Sequence, residues 1–442
     1  MRCFMGLVLA LALGVMGCSE GPGMSGCESA KDCDDQNECT EDSCNPVNGS
    51  CEFAALPGGS ICEAGACRNG DCEPITSIFP CTEQGIRNAI DVGGGPHAFA
   101  CKELTTVTTA EGTIIIDNDV ILDGLDALEV EAGSALPRRV FLIEEGVNAE
   151  LRRLAVTGGS VGASGQGGGI WNRGSATLVR CRVFENSSDF FGGGISSGDG
   201  LARLEAELTV IDSIVSGNSA ETGGGIVSWG TLTVVGTTVS GNSAFTVGGI
   251  GSSGTGSVRN STVSNNTAEL GAGIWNEHGG MLTVTNSTVS GNSASIGGGL
   301  FNLGTSTVVN STLLDNSATQ EGSAIADDQQ EGATVTLSGS LIEGGCSAAI
   351  VSSGYNIESP GNTCGFHQPT DQVNVSADDV KLGPLQDDGG PTETHALGAG
   401  SVALDVIPEA ECVDTEGAQL TTDQRGEPRG SMCDVGAFEV QP

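Results

Sequence analysis

The chain has 442 residues, enough for two or three ordinary domains, yet it contains 70 glycines and only 12 Phe, 3 Trp and 1 Tyr. So few large side chains argue against a conventional layered core. Its 56 acidic and 17 basic residues give a formal net charge of −39, which argues against nucleic acid as a partner and against electrostatic docking on anionic lipid. This acidity is typical of an exposed, soluble protein. Calcium binding by clustered carboxylates is the alternative that stays open.

The N-terminal segment has the pattern of an export signal. Its apolar run, residues 4–16, follows a basic residue and is too short to span a bilayer. The run ends in VMGC at residues 15–18, which resembles the bacterial lipobox, although Met16 stands where a smaller residue is usual. The resemblance implies a lipoprotein-type signal peptide over residues 1–17 and a diacylated Cys18, so that only the N-terminal lipid would contact the membrane. Ordinary signal cleavage nearby, with Cys18 as a plain thiol, is the alternative.

Residues 18–76 are rich in cysteine. Eight cysteines fall within 46 residues, and an exported segment this short buries too little apolar surface to fold without cross-links. The spacing therefore predicts a disulfide-rich stalk, whose connectivity the sequence leaves open. Zinc is the competing interpretation, and the lack of histidine in the segment argues against it. The eight positions are Cys27, Cys33, Cys39, Cys44, Cys51, Cys62, Cys67 and Cys72.

A short amphipathic helix is predicted after the stalk. Thr82 is a capping residue, and the apolar side chains that follow it share one face. That face comprises Ile86, Ala89 and Ile90. We expect the helix to cover the first coil of the region described next.

The cysteines beyond the stalk suggest three local disulfides, the first of which would tie this helix in place. Cys181 is left over, and we expect a buried or half-buried thiol rather than a nucleophile, because no histidine lies near it in the chain. The pairs are Cys81 with Cys101, Cys346 with Cys364, and Cys412 with Cys433.

One fifteen-residue phrase recurs along the middle of the chain. It reads GTLTVVGTTVSGNSA at residues 230–244 and GMLTVTNSTVSGNSA at residues 280–294, and a glycine cluster closed by an aliphatic residue separates the copies. The closing residues are 24 to 31 positions apart, a period typical of stacked supersecondary units. They are Ile170, Ile195, Ile226, Ile250, Ile274, Leu300 and Ile325.

Each period predicts three short strands, because Leu and Val alternate with Thr and because Gly or Asn at the corners tolerates positive φ. Such strands find partners only when each turn of chain lies on the previous one, so the predicted fold class is all-β, a right-handed parallel β-helix. Its inward column would be Leu151, Leu178, Val210, Val234, Val258, Val284, Val308 and Leu337. A corner column would share amide hydrogen bonds between coils: Asn218, Asn242, Asn266, Asn292 and Asn316.

The helix and β-helix are expected to span residues 77–355. Upstream coils would run through residues 113–116, 120–122 and 140–143. A stack of strands exposes its core at both ends, so we expect residues 356–442 to supply the last coils and cover the far end.

The tail carries a family pattern that is more specific than the repeats. The runs that resemble the closing signature of choice-of-anchor Q proteins are LGPL at 382–385, DGGPTETHAL at 388–397, TDQRG at 422–426 and CDVGAFE at 433–439. This resemblance spans roughly residues 81–439 and departs at Val402, where the family usually has proline. The glycine clusters resemble repeats of chlamydial polymorphic outer-membrane proteins. Together these resemblances imply a protein at the bacterial outer membrane or cell surface, with a structural role for His395 and no settled chemistry.

Basic side chains cluster in residues 138–203. Arg153, Arg180 and Asp212 occupy the same position in successive copies of the phrase, so we expect them to stack on one face. Bidentate guanidinium contacts on this face would hold an anionic glycan. The candidate ligand face comprises Arg152, Arg153, Arg180, Arg182 and Asp212. Alternatively the basic side chains form ordinary surface pairs with Glu150, Glu185, Glu205 and Glu207.

Trp171, Trp275 and Phe301 follow the closing aliphatic residue in three coils. If they point outward they can stack on sugars, and otherwise they pack a turn. We predict an adhesion or recognition scaffold whose partner is a polysaccharide or the surface of a host, prey or neighbouring cell. A polysaccharide lyase or glycoside hydrolase on the same fold is the alternative. The sequence has no Asn-Thr-Asp, Gly-His-Gly or Arg-Ile-Lys run of the polygalacturonase type, so we assign no catalytic residue and expect no cofactor unless calcium binds.

Overall fold

A computed structural model describes the second of two compact units, Pro74–Pro442, in side-chain detail, and parts of the backbone of the first, Met1–Glu73. The described residues are 40–44, 51–55, 61–62, 65–68 and 71–441, without 135–136, 164, 201–205, 328–331 and 348–349; side chains are described from residue 74 onward. The unit boundary lies close to the predicted end of the stalk at residue 76. The signal peptide, Cys18 and the pairing of the eight stalk cysteines lie outside the described residues and side chains.

The described residues of the first unit form two small sheets. Strand Thr40–Cys44 pairs antiparallel with Cys51–Ala55, and Ile61–Cys62 pairs antiparallel with Gly65–Arg68. Asp71–Pro74 completes the second sheet. Each pairing joins neighbouring chain segments, so the β-structure of this unit is local.

The second unit begins with strand Ser77–Phe79 and helix Glu83–Val92. The Thr82 hydroxyl accepts a hydrogen bond from the Gly85 amide at 3.1 Å, which caps the helix as predicted. The buried helical side chains join the core of the first coils, and the disulfide Cys81–Cys101 forms beside them. They are Ile86, Ala89 and Ile90. The predicted covering helix is therefore confirmed.

The rest of the unit winds as a right-handed parallel β-helix, which confirms the predicted fold class. In the described residues its strands form four sheets along the axis. The first sheet contains Ile114–Ile116, Phe141–Ile143, Ile170–Asn172, Ile195–Ser197, Ile226–Ser228, Ile250–Ser252, Ile274–Asn276, Leu300–Asn302 and Ile325–Asp327. The fourth sheet contains Ser160–Val161, Ser187–Phe191, Ser219–Thr222, Ser243–Thr246, Ser293–Ile296 and Ser317–Glu321.

The second and third sheets are continuous in the early coils, where Val120–Ala132 and Asn148–Thr157 run through both. Apart from these two strands, the second sheet contains Gly94–Phe99, Ser175–Val179, Glu207–Ile211, Thr231–Val235, Thr255–Arg259, Met281–Thr285, Thr305–Val309, Thr334–Ser338 and Val351–Ser352. The third contains Thr105–Thr109, Arg182–Phe184, Ile214–Ser216, Thr238–Ser240, Thr262–Ser264, Thr288–Ser290, Thr312–Leu314, Leu341–Glu343 and Ile357–Ser359.

The predicted inward aliphatic column is confirmed. Val210 pairs with Val234, and Val234 pairs with Val258 in the next coil. All eight predicted side chains are at most 2% exposed. Because the same side chain recurs in each coil, a narrow core packs well with few aromatic residues.

A buried asparagine ladder runs along the corner after the third sheet, as predicted, and begins one coil earlier at Asn186. Each Nδ2 donates to the Oδ1 of the asparagine in the next coil at 2.9–3.0 Å. The Asn242 Oδ1 also accepts from the Asn218 amide at 3.0 Å, and its Nδ2 also donates to the Val215 carbonyl at 2.9 Å. The ladder therefore satisfies the backbone at every corner that it passes.

A second buried ladder, not predicted from the sequence, lies at the corner before the third sheet. Each hydroxyl accepts from the amide of the equivalent residue in the preceding coil at 3.0–3.2 Å. The hydroxyl residues are Ser213, Thr237, Ser261, Ser287, Ser311 and Ser340. Cys181 stands at the head of this ladder, where its Sγ donates to the Leu151 carbonyl at 3.2 Å. Burial raises the pKa of the thiol to about 12, so Cys181 is a buried thiol and not a nucleophile, as expected.

The C-terminal tail only partly follows the prediction. Its first part packs on the last coils through Phe366 and the Cys346–Cys364 disulfide. The rest turns back along the outside and covers the third sheet, where the Thr262 hydroxyl donates to the Glu393 carbonyl at 2.6 Å and the Ala437 amide donates to Thr312 at 3.1 Å. The tail is thus a lateral strap as well as an end cap: it buries Leu341 and Ile357 of the third sheet and bonds to outward hydroxyls such as Thr262.

The strap, residues 376–441, contains short elements and the third predicted disulfide, Cys412–Cys433. The elements are helix Ala377–Val380, the antiparallel strands Leu382–Gln386 and Thr394–Leu397, the 3-10 turn Glu409–Glu411, and the antiparallel strands Ile407–Pro408 and Met432–Cys433. No helix in the described part of the chain has the length and apolar character of a membrane span.

Two residues of the tail signature hold the strap on the third sheet. The buried Gln424 side chain accepts from Thr288 at 2.7 Å and donates to Thr262 at 2.8 Å. The His395 ring lies between the Ser290 hydroxyl and the Gly383 carbonyl, each at 2.8 Å. These contacts agree with the structural role expected for His395.

Replacing Asn242 by Ala should lower the free energy of unfolding by about 3 kcal/mol, because several buried donors and acceptors lose their partners. Denaturant unfolding of the full chain measures the change. Ser243→Ala is the matched control, since this exposed neighbour points outward, and it should change stability by no more than about 0.5 kcal/mol. Equal losses in the two variants would contradict a stabilising ladder.

Burial lowers the pKa of His395, so the folded protein favours the neutral ring. The unfolded chain takes up the proton first, near pH 6.5, so this contribution to stability is complete above about pH 6.5 and is lost as the pH falls through the lowered value. Between about pH 7 and pH 5 the unfolding free energy of His395→Gln should therefore decline less than that of the unchanged protein. Burial raises the pKa of Asp434 to about 6, so this carboxyl also titrates between pH 7 and pH 5. Its contribution is the same in both proteins and cancels when their declines are compared. Identical declines would contradict it.

Candidate functional site

The predicted ligand face lies at the corner between the second and third sheets. Arg153, Arg180 and Asp212 occupy one corner position in three successive coils, as their sequence register predicted. All three have left-handed backbone, with φ of 50°, 53° and 47°. The left-handed backbone turns the chain at this corner and directs each side chain away from the axis of the β-helix.

Two of the five residues do not form a face, and that part of the prediction is wrong. Both nitrogens of the Arg153 fork donate to the Asp123 carboxylate, at 2.9 and 2.5 Å, and both side chains are buried. The Arg152 side chain is 1% exposed and its Nε donates to Glu150 at 2.7 Å. The physical reason is an insertion in the preceding coil: residues 124–127 bulge out opposite Arg153 and break the regular register.

Arg180 and Arg182 remain exposed on this side. The Arg182 guanidinium lies 4.7 Å from the centre of the Phe184 ring. Burial raises the pKa of Asp212, and the charge of Arg180 opposes that shift. The predicted face is thus reduced to two exposed guanidinium groups with one exposed acid beside them.

A groove lies elsewhere, on the outer face of the first sheet where the fourth sheet borders it. Its volume is about 220 Å³. The groove, as the term is used below, is lined by Phe191, Gly200, Thr222, Val227, Trp229, Thr246, Val247, Gly251, Ser252, Ser253, Trp275 and Glu277. The lining is mainly apolar, with hydroxyl groups and one carboxylate.

Two aromatic pairs contribute side chains to the groove: Phe191 and Trp229 both line it, and Trp275 lines it while its partner Phe301 does not. The rings of Phe191 and Trp229 are 4.9 Å apart and edge to face, and those of Trp275 and Phe301 are 4.5 Å apart in the same arrangement. Between the pairs, the outward position of the first sheet is Gly251. A Cβ at Gly251 would lie 2.9 Å from a Val247 methyl, so the open floor of the groove requires glycine here.

The three aromatic residues singled out in the sequence have different surroundings. Trp171 lies between the guanidinium groups of Arg139 and Arg173, at 4.6 and 5.3 Å, and its Nε1 donates to the Gly198 carbonyl. It therefore packs a turn. Trp275 and Phe301 are each 8% exposed and pack together; Trp275 lines the groove, whereas Phe301 lies in the next coil, outside the lining.

Trp229 and Phe191 belong to the groove but were not predicted from the sequence. They stand outside the repeated phrase, one after the first-sheet strand and one at the end of a fourth-sheet strand. The sequence offered one signal for them: aromatic residues lie close to the glycine clusters of neighbouring coils. This signal indicates which coils depart from the repeat, but it does not indicate which side chains contact each other.

Metal binding has no support from side-chain clusters in the described residues. Within that part of the chain no three His, Cys, Asp or Glu side chains are placed to hold a metal ion together. Calcium binding stays an untested prediction.

The middle of the chain resembles known β-helices. Residues 141–318 match a family model described as a right handed beta helix region. Among solved structures, the crystal structure of pectate lyase Pel9A is similar over 83% of this chain and 97% of its own, with 15% sequence identity and a TM-score of 0.44. No curated protein matches the chain. The family match covers the coils whose register is described above.

Replacing Arg153 by Ala should lower the free energy of unfolding by about 3 to 5 kcal/mol, because Asp123 then stays buried without its partner. Arg180→Ala is a matched control at the same left-handed corner of the next coil, where the side chain is exposed. Denaturant unfolding should show a change of no more than about 1 kcal/mol for the control. If both variants lose the same stability, the Arg153–Asp123 pair is not structural.

Proposed function

We propose that the chain is an exported recognition or adhesion scaffold that binds a glycan in the groove. Three aromatic side chains that line the groove around the open floor at Gly251, Phe191, Trp229 and Trp275, are the observation that carries the proposal. Sugar rings pack their C–H faces on aromatic side chains, while a few polar groups fix their orientation. Thr222, Thr246 and Ser253 line the groove and supply such hydroxyls.

The charge of the groove favours an uncharged sugar. Glu277 is the one charged residue in its lining, where it accepts a hydrogen bond from Trp275 Nε1 at 3.2 Å. The full chain carries a formal charge of −39, which repels polyanions at long range. Arg152 and Arg153, on which an anionic ligand would have depended, are buried and paired with the carboxylates of Glu150 and Asp123. A neutral polysaccharide of a host, prey or neighbouring cell is therefore the proposed partner.

The scaffold is proposed to be anchored by lipid at Cys18 on the bacterial outer membrane, with the β-helix facing outward. The apolar run and the lipobox-like VMGC motif support this proposal. In a producing bacterium, Cys18→Ser should move the chain from the membrane fraction to the soluble fraction. Proteinase treatment of intact cells should degrade an outward-facing chain, whereas survival of the chain would place it on the inner side.

A carbohydrate-active enzyme stays the alternative. Glycoside hydrolysis commonly uses a pair of carboxyl groups on either side of the bond, and the groove lining contains only Glu277. Release of reducing or unsaturated ends from a bound polysaccharide would favour the enzyme and contradict a purely binding role.

Replacing Trp229 by Ala should weaken glycan binding by about tenfold or more, which is typical of removing an aromatic stacking contact. A glycan array, run with and without calcium, identifies the ligand, and titration calorimetry with that ligand then measures the affinity. Phe245→Ala is the matched control, because this side chain is 61% exposed but lies outside the groove lining. Equal weakening of glycan binding by both variants would contradict the groove as the binding site. So would a glycan affinity that Trp229→Ala leaves unchanged.

A further inference from the structure

The outer face of the second sheet carries a flat, repeating set of hydroxyl side chains, here called the threonine array. It consists of two outward columns from seven successive coils. One column is Ser175, Glu207, Thr231, Thr255, Met281, Thr305 and Thr334, and the other is Thr177, Thr209, Thr233, Ser257, Thr283, Thr307 and Thr336. Glu207 and Met281 are the exceptions to Thr or Ser.

The array has a two-dimensional repeat. The seven strands pair in register with no bulge from Ser175–Val179 to Thr334–Ser338. Neighbouring strands are about 4.8 Å apart, and residues i and i+2 of one strand are about 6.7 Å apart. Because threonine is stiff about χ1, its methyl and hydroxyl groups recur in the same orientation in each coil. The array is therefore a rigid lattice of hydroxyl and methyl groups.

Most of these hydroxyls have no hydrogen-bond acceptor within the described part of the protein. In the described coils, most of them make no hydrogen bond to a protein acceptor, and the exceptions are long: Ser175 to Glu207 at 3.4 Å and Thr283 to the Gly256 carbonyl at 3.5 Å. The inward hydroxyls of the same coils differ, since the ladder from Ser213 to Ser340 is bonded in every coil. Most of the outward hydroxyls are thus free to bond to a ligand outside the protein.

The charge and shape of the array select the kind of ligand. Glu207 is its one charged residue, at the edge, on a chain with a formal charge of −39. A face whose one charge lies at its edge suits an uncharged surface and not a polyanion. The array also extends without a bulge over seven coils, so a small molecule would contact only a fraction of it. A ligand that contacts the whole array must itself have a regularly repeating surface, as a crystal lattice has.

We infer that the threonine array binds ice. The oxygen rows of the ice lattice repeat at spacings close to those of the array in both directions, so each hydroxyl meets a lattice water while each methyl excludes a mobile one. The β-helix holds the side chains in place before binding, so little entropy is lost in ordering them. This face is separate from the groove on the first sheet, and the inference does not depend on glycan binding.

Growth of single ice crystals in a solution of the full chain tests the inference. The unchanged protein should shape the crystals and produce thermal hysteresis. Thr233→Tyr and Thr307→Tyr, which place a bulky outward side chain in two different coils, should each abolish the hysteresis. Thr267→Tyr is the matched control, because Thr267 is exposed and points outward along the fourth sheet, away from the array. This control should behave like the unchanged protein.

Circular dichroism shows that each variant is folded before it is compared. A folded, unchanged chain that neither shapes ice nor produces hysteresis would overturn the inference. So would equal hysteresis in Thr307→Tyr and Thr267→Tyr. If instead Thr233→Tyr abolishes adsorption to microcrystalline cellulose and ice is unaffected by the unchanged chain, the array recognises a crystalline polysaccharide and the inference is wrong.

Discussion

The whole molecule depends on register between successive coils. Parallel strands pair so that each residue lies against its equivalent one coil away, and the asparagine and hydroxyl ladders extend the same register through two corners. A slip by one residue would turn the aliphatic column outward and leave both ladders without partners. Register therefore supplies both the core and the regular outer faces, and any irregular coil stands out as a departure from it.

The repeat made much of the fold predictable. A column such as Val210, Val234 and Val258 follows from phrase position alone, and so does the shared corner of Arg153 and Arg180. Burial of Arg153 could not be predicted in this way, because it depends on a bulge in a coil that lacks the phrase. The position of the strap along the third sheet could not be predicted for a similar reason. Contacts such as Thr262 with Glu393 join residues far apart in the chain, and no local spacing indicates them.

The candidate site shows the limit of reasoning from repeats. The groove exists because Gly251 interrupts an outward column and because Trp229 and Phe191 come from positions outside the phrase. Its shape is therefore set where the repeat fails. The threonine array is the opposite case, since it consists only of positions where the repeat is kept. A discrete ligand suits the irregular surface, and a lattice suits the regular one.

The lateral strap also constrains how the length of the protein changes in evolution. It is bonded at Thr262, Asn286 and Thr312, which lie in three neighbouring coils. Inserting a coil among them would move these docking points by about 4.8 Å relative to the strap, which has a fixed length. Among the described residues, no coil upstream of Thr255 has a hydrogen bond to the strap, so whole repeats can be duplicated or deleted there without moving these docking points. The strap therefore fixes the number of coils in the C-terminal part of the β-helix, whereas the number of coils in the N-terminal part can change.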